Sequence, residues 1–202
     1  MWNNEVLSSL RLILSMLVIC AVKGVKYEFL IDDEEIFNTC PNQRPGVLGS
    51  HGLFDLSEFK TVITDDVLTL GGNLTAVWDM DHTDFVSFQI TMYQNDRGIW
   101  RPTIYSINVK DFCSVMYNKN FYWYTYWTQY VINKEEVENR CFMRGTKLLF
   151  EEYPLHLVLN IGNAKFSGLY KAQYLIEAYS RIGIRRPISF CFEVRAEFRK
   201  VK

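Results

Sequence analysis

Residues 188–199 read ISFCFEVRAEFR, in which an apolar side chain stands at every second position. Because successive side chains of a β-strand point to opposite faces of a sheet, this alternation predicts a strand with one buried face. The opposite face carries Glu193, Arg195, Glu197 and Arg199, whose charges alternate in sign. Such charges suit cross-strand pairing, so we expect this second face to be exposed to solvent.

The same alternation recurs along most of the chain. Apolar residues occupy every second position in five further stretches, which span residues 74–80, 86–92, 105–109, 155–159 and 170–178. A turn at residues 81–84 predicts that the first two of these stretches form a hairpin. One-sided strands joined by short turns are typical of antiparallel sheets. The sequence therefore predicts an all-β fold, an antiparallel immunoglobulin-like β-sandwich of about seven or eight strands.

One segment breaks this alternation, from about residue 115 to residue 139. Within it, residues 121–130 (FYWYTYWTQY) include seven aromatic side chains. Trp123 and Trp127 lie four positions apart, as neighbours on one helix face do, and residues 134–138 (KEEVE) favour a helix. Aromatic residues also favour strands, which is the alternative. We predict a short, aromatic-rich, helical insertion in the sandwich.

The beginning of the chain resembles an export signal. Residues 1–24 combine a polar start that includes Arg11, an apolar run over residues 12–22, and a small residue at Gly24. A bilayer span needs ~20 apolar residues, so a cleaved signal peptide fits this run better than a membrane anchor does. We therefore predict a signal peptide at 1–24, a single domain at 25–202 and an extracellular location. An uncleaved anchor is the alternative.

Four cysteines follow the predicted signal peptide: Cys40, Cys113, Cys141 and Cys191. An even number in a secreted chain implies two disulfide bonds, with three possible connectivities. None of the spacings is a Cys-x-x-Cys pair, so the pattern indicates neither a zinc site nor a redox site. Asn73 begins an Asn-Leu-Thr triplet, a glycosylation acceptor that is consistent with export.

The charged residues give little support to nucleic-acid binding or to catalysis. The chain has 22 basic and 23 acidic residues, so it has no basic excess that would attract nucleic acid. His82 lies among Asp79, Asp81 and Asp84, which resembles a metal or acid–base cluster, but these residue types are also common in turns. We expect no catalytic residue, no metal site and no cofactor.

A resemblance to a known family rests on features spread along the chain. They are an early cysteine, the alternating segment 107–113 that ends in Asp-Phe-Cys, and a final pair of strands over residues 168–196. In these features the chain resembles the MD-2-related lipid-recognition proteins, and within them the GM2-activator type and the insect CheB chemosensory proteins. The chain lacks the additional cysteines of the GM2-activator type.

The resemblance implies both a disulfide pattern and an architecture. It implies the bonds Cys40–Cys191 and Cys113–Cys141. It also implies a β-cup, in which two sheets are splayed apart around a lipid or another long apolar ligand.

In such a cup, inward-facing residues of the strands and of the insertion contact the ligand. These residues are Trp78, Phe88, Met92, Tyr105, Trp123, Trp127, Tyr170, Tyr174 and Phe192. Apolar walls with a few polar groups are typical of a ligand pocket. The alternative is that the same side chains fill a closed sandwich core.

The function that the resemblance implies is non-enzymatic binding of an apolar or amphipathic small molecule, such as a lipid, hydrocarbon or pheromone, in chemosensory signalling. One alternative is a carrier that presents a glycolipid to an enzyme or receptor. Another is an extracellular interaction domain without a pocket. A basic loop tip with Arg181, Arg185 and Arg186 offers a contact for a membrane surface or a sensory receptor.

Overall fold

The fold consists of two β-sheets that pack face to face, which confirms the all-β sandwich predicted from the sequence. The structure is a computed structural model, and it describes residues 25–31, 33, 35–65, 67–160 and 165–201. The predicted signal peptide at 1–24 lies outside these residues. The strands are, in chain order, β1 (Lys26–Leu30), β2 (Asn38–Thr39), β3 (Val47–Leu48), β4 (Phe54–Asp55), β5 (Phe59–Thr64), β6 (Val67–Ala76), β7 (Phe85–Asp96), β8 (Ile99–Val109), β9 (Lys147–Pro154), β10 (Val158–Asn160), β11 (Leu169–Tyr179) and β12 (Arg185–Lys200).

Among the described residues, the larger sheet has eight strands and the smaller sheet has four. The larger one runs in the order β10-β1-β12-β11-β7-β8, and β2 and β3 also pair with β12. Neighbouring strands within this sheet are antiparallel, except that β3 runs parallel to β12. In the smaller sheet, β6 lies between β9 on one side and β4 and β5 on the other.

The long strands of the larger sheet are the ones that the period-two pattern indicates. Phe88, Ile176 and Phe190 lie in one row across β7, β11 and β12, and all three are buried. The β7–β8 hairpin closes through Arg97 and Gly98, which both have positive φ (53° and 87°). This two-residue turn matches the right-handed twist of the strands that it joins, and its second position favours glycine.

The hairpin predicted for residues 74–92 is wrong. β6 belongs to the smaller sheet and β7 to the larger one, and the two strands do not pair. Residues 77–84 instead carry the chain from one sheet to the other. Asp84 is buried in this connection, where Arg186 donates two hydrogen bonds to its carboxylate, at 2.7 and 2.9 Å. The connection is therefore a crossover between sheets that an ion pair holds in place.

The larger sheet curls, so that its outer strands approach each other at one end. The ring of Phe166 lies 5.3 Å from that of Tyr27 in β1 and 5.2 Å from that of Tyr105 in β8. These two strands are separated by β12, β11 and β7 in the order of the sheet. Phe166 therefore closes one end of the space between the sheets.

The insertion is helical, as predicted, but it consists of single turns. Its α-helices are α1 (Phe112–Val115), α2 (Tyr122–Tyr126) and α3 (Lys134–Val137), and a 3₁₀ turn at Thr128–Tyr130 follows α2. The Asp111 side chain caps α1 by accepting a hydrogen bond from the backbone N–H of Ser114. In the described part of the chain, no helix is long and apolar enough to cross a membrane.

The two disulfide bonds are Cys40–Cys191 and Cys113–Cys141, which is the pairing that the resemblance implies. The first joins the segment after β2 to β12. The second joins α1 to the end of the insertion, 28 residues later. The insertion is therefore anchored at both ends beside the sandwich.

The outer face of β12 is not uniformly exposed, which corrects the expectation for its charged residues. Arg195, Glu197 and Arg199 are exposed, but Glu193 is fully buried. Its carboxylate accepts hydrogen bonds from Lys171 Nζ at 2.5 Å and from Arg195 Nη2 at 2.6 Å. The Trp100 ring lies over Lys171, with its centroid 5.0 Å from Nζ. The expectation fails because the β7–β8 hairpin contributes aromatic rings that cover part of this face.

Candidate functional site

A cavity of about 490 Å³ lies between the two sheets. The larger sheet contributes inward-facing residues from all its long strands. The four strands of the smaller sheet contribute Phe54, Phe59, Leu70, Leu74 and Tyr153. α2 and the residue after it close another side of the cavity. Pockets of 300–1,000 Å³ are typical of sites that bury most of a small ligand. The sandwich is therefore not a fully closed core.

Seven of the nine residues predicted to contact a ligand line this cavity. They are Phe88, Met92, Tyr105, Trp123, Trp127, Tyr174 and Phe192. They come from β7, β8, β11, β12 and the insertion, so the fold brings distant parts of the chain to one wall. Ligand contact by these residues stays a prediction.

Trp78 and Tyr170 do not line the cavity. Both are buried and packed against other aromatic rings. The ring centroid of Trp78 lies 4.8 Å from that of Phe190, in an edge-to-face arrangement. The ring centroid of Tyr170 lies 5.4 Å from that of Phe166 and 4.9 Å from that of Phe198. Both residues face inward, as the alternation predicts, but they lie where other rings fill the space between the sheets.

The part of the wall formed by Phe29, Ile31, Ile36, Phe37 and Phe142 could not be recognised from the sequence in the same way. Phe29 and Ile31 line the cavity and share a buried face with Tyr27, but three residues at every second position are only a weak strand signal. Phe37 and Phe142 also line it, but they stand outside the regular strands. No periodic pattern identifies residues of that kind.

The aromatic segment, residues 121–130, connects two distant parts of the larger sheet. Trp123 is buried against Phe112, with ring centroids 5.3 Å apart, and its indole N–H donates to the Val115 carbonyl at 3.1 Å. At the other end of α2, the Tyr126 hydroxyl donates to the carbonyl of Val158 in β10 at 2.5 Å. The segment thus lies across the cavity between β10 and the β7–β8 hairpin, at the two ends of the larger sheet, and its tryptophans face the cavity.

The rim of the cavity carries two exposed apolar side chains. Ile104 is 89% exposed and Tyr122 is 52% exposed, and both lie at the edge of the cavity. Ile104 lies at a β-bulge, because the pairing of β7 with β8 shifts register between Thr91 and Tyr93. The polar groups of the rim are Ser106 and Asn160, both exposed.

The interior of the cavity is almost entirely apolar. Among the described residues that line it, none has a charged side chain. The hydroxyl of Tyr153 donates to the Tyr126 carbonyl at 3.1 Å, so it is already paired. The Tyr174 hydroxyl has no hydrogen-bond partner among the described residues, and burial raises its pKa to about 12. Tyr174 thus presents an unpaired hydroxyl to the cavity.

The predicted glycosylation acceptor and the histidine cluster lie away from the cavity. Asn73 is half-buried in β6, and its Nδ2 donates to Glu58 Oε2 at 3.0 Å. A glycan at this position would have to displace that bond, and its presence stays a prediction. Asp81 accepts a hydrogen bond from the Thr83 backbone at 2.8 Å, which is ordinary turn chemistry. The part of the chain that the structure describes contains no group of three potential metal ligands.

Buried tyrosines should make the fold sensitive to alkaline pH. Burial raises the pKa of Tyr117, like that of Tyr174, to about 12 from an ordinary value of 10.0. In the unfolded chain these phenols ionise near pH ~10, so above that pH the unfolded state has released protons that the folded state still holds. The contribution of these tyrosines to folding stability is therefore fully present below about pH 10, and it is lost as the pH rises toward 12.

We expect tyrosinate absorbance from the buried rings to rise together with the loss of near-ultraviolet circular dichroism, in one cooperative alkaline transition. Tyr117→Phe is the informative variant, because the Tyr117 hydroxyl is buried without a hydrogen-bond partner among the described residues. It should move the transition to higher pH. Ionisation of all tyrosines while the protein remains folded would contradict this expectation.

Comparison of the sequence with models of known protein families and with curated proteins finds no match, so the evidence for a function comes from the geometry of the cavity and from the resemblance described above.

Proposed function

We propose that this protein is an extracellular binding protein that holds one apolar or amphipathic small molecule and does not transform it. The observation that carries the proposal is the apolar cavity of about 490 Å³ between the sheets. Burial of apolar surface contributes about 0.8 kcal/mol per methylene group, so a ligand needs no charged contact to bind such a cavity. The ligand class is a lipid, a hydrocarbon or a pheromone.

The side chains that line the cavity support binding of a ligand that the protein does not convert. Among the described residues of the cavity wall, none is a histidine, a carboxylate or a free thiol, the groups that usually act as acid, base or nucleophile. The two disulfide bonds are compatible with an oxidising, extracellular environment. The resemblance to the CheB proteins supports a chemosensory role, in which the protein carries poorly soluble cues.

A second candidate function is lipid transfer from a membrane. The exposed side chains of Ile104 and Tyr122 at the rim favour it, because apolar groups beside an opening can contact the acyl region of a bilayer. In this candidate the protein lifts a lipid out of a membrane and presents it to an enzyme or receptor. Transfer of a fluorescent lipid out of vesicles would separate the two candidates.

Native mass spectrometry of protein secreted by insect cells tests the proposal. We expect a species heavier than the disulfide-bonded polypeptide by the mass of one lipid-like molecule, released when the protein is denatured. A delipidated sample should then bind a fluorescent apolar probe with a stoichiometry of one. A protein that carries no molecule and binds no probe would contradict both candidates.

A further inference from the structure

The floor of the cavity contains a hydroxyl group, that of Tyr174, without a hydrogen-bond partner among the described residues. Tyr174 lies in β11, at the centre of the larger sheet, and its ring stacks on Phe192 with centroids 4.8 Å apart. The residue lies deep inside the protein, yet part of its surface remains accessible because it faces the cavity. Its hydroxyl donates to no described residue, whereas buried tyrosine hydroxyls usually have a partner.

The other tyrosines of the wall either have a partner or lie away from the middle of the cavity. The hydroxyls of Tyr126 and Tyr153 donate to backbone carbonyls, and Tyr122 is exposed at the rim. The hydroxyl of Tyr105 lies at the closed end, near enough to Tyr170 to help raise the pKa of that residue. Tyr174 alone among them offers a donor from the middle of the cavity floor.

The described part of the wall carries no charged side chain, which restricts the chemical class of the ligand further. A carboxylate or phosphate inside the cavity would lose its hydration and would meet no cation among the described lining residues. Burial of an unpaired charge costs several kcal/mol, whereas a neutral oxygen that accepts one hydrogen bond costs little once it is paired.

From these observations, and resting on the proposed function, we propose that the ligand is a neutral, chain-like molecule with an oxygen acceptor, such as an ester, ketone or alcohol, that receives a hydrogen bond from the Tyr174 hydroxyl. The apolar chain occupies the rest of the cavity. Pure hydrocarbons bind without using Tyr174, and ionised fatty acids are disfavoured.

The test uses three ligands of matched size: dodecyl acetate, its isomer myristic acid at a pH where it is ionised, and hexadecane. Each displaces a fluorescent apolar probe from the delipidated protein and from the variant Tyr174→Phe. We expect Tyr174→Phe to weaken dodecyl acetate binding about fivefold, the usual effect of one lost hydrogen bond. Hexadecane affinity should be unchanged, and myristate should bind the natural protein more weakly than its isomer does.

The matched control is Tyr93→Phe. Tyr93 lies on the outer face of the same sheet, where its hydroxyl interacts with Gln173 at 3.3 Å, and it does not line the cavity. Equal affinity of dodecyl acetate for natural protein and Tyr174→Phe would overturn the assignment of Tyr174, and so would an equal loss in Tyr93→Phe. Myristate binding as tight as that of the ester would overturn the restriction to neutral ligands. If no ligand and no probe bound the natural protein, the proposed function itself would fail.

Discussion

Ala172→Trp should abolish ligand binding and leave the sandwich folded. Ala172 lies in β11, between Met92 of β7 and Val194 of β12, and all three residues line the cavity. An indole at this position projects into empty space, so it does not force the core apart as overpacking does. It takes the volume that the apolar chain of a ligand would otherwise occupy.

The expected loss of affinity is at least about 100-fold. If the indole excludes about four methylene groups at ~0.8 kcal/mol each, binding weakens by about 3 kcal/mol. Probe displacement measures the affinity, and the thermal unfolding transition measures whether the fold is retained. Glu197→Trp is the matched control, because it adds the same side chain to the exposed face of the same sheet and should bind normally. If a folded Ala172→Trp protein bound ligand as well as the control, the ligand site would lie elsewhere.

Glu193→Ala should cost about 3–5 kcal/mol of folding stability, the largest effect that we expect from a single polar substitution. The Lys171 and Glu193 side chains are 5% and 0% exposed, and their charged atoms are 2.5 Å apart. Without the carboxylate, the Lys171 ammonium stays buried with no opposite charge to offset its lost hydration. The aromatic rings of Trp100 and Tyr93 provide only part of the compensation, as cation–π contacts.

Urea denaturation under oxidising conditions measures this loss. Glu197→Ala serves as the control, since Glu197 is an exposed carboxylate on the same face of β12, and it should change stability by no more than about 0.5 kcal/mol. The double substitution Lys171→Met with Glu193→Leu should restore most of the stability, because apolar replacements of a buried ion pair are often neutral. A loss below about 1 kcal/mol in Glu193→Ala would mean that Lys171 reaches solvent when its partner is removed.

The strands of the larger sheet were predictable because apolar and polar side chains alternate from one residue to the next along them. The same alternation could not reveal which strands pair. β6 and β7 are neighbours in sequence with a turn signal between them, yet they belong to opposite sheets. Pairing depends on contacts between distant segments, and the apolar faces of β6 and β7 suit both a hairpin and a crossover.

The candidate site was predictable to the extent that it follows strand faces. Phe88, Met92, Tyr174 and Phe192 face inward in regular strands and line the cavity. Whether an inward residue meets empty space depends on how far the sheets separate at that level, which is why Tyr170 is enclosed by Phe166 and Phe198 instead. In the same way, the burial of Glu193 depends on a hairpin that folds over its face. The periodicity of a sequence shows on which face of a strand a residue lies, but it does not show which other segment covers that face.

The bulge in β8 has a further consequence, for self-association. β8 is the last strand of the larger sheet, and an open edge of this length would invite pairing with a second copy of the chain. Pro102 has no N–H to offer an incoming strand, and the register shift interrupts the regular row of backbone groups next to it. The bulge beside Ile104 therefore also protects the molecule from edge-to-edge aggregation.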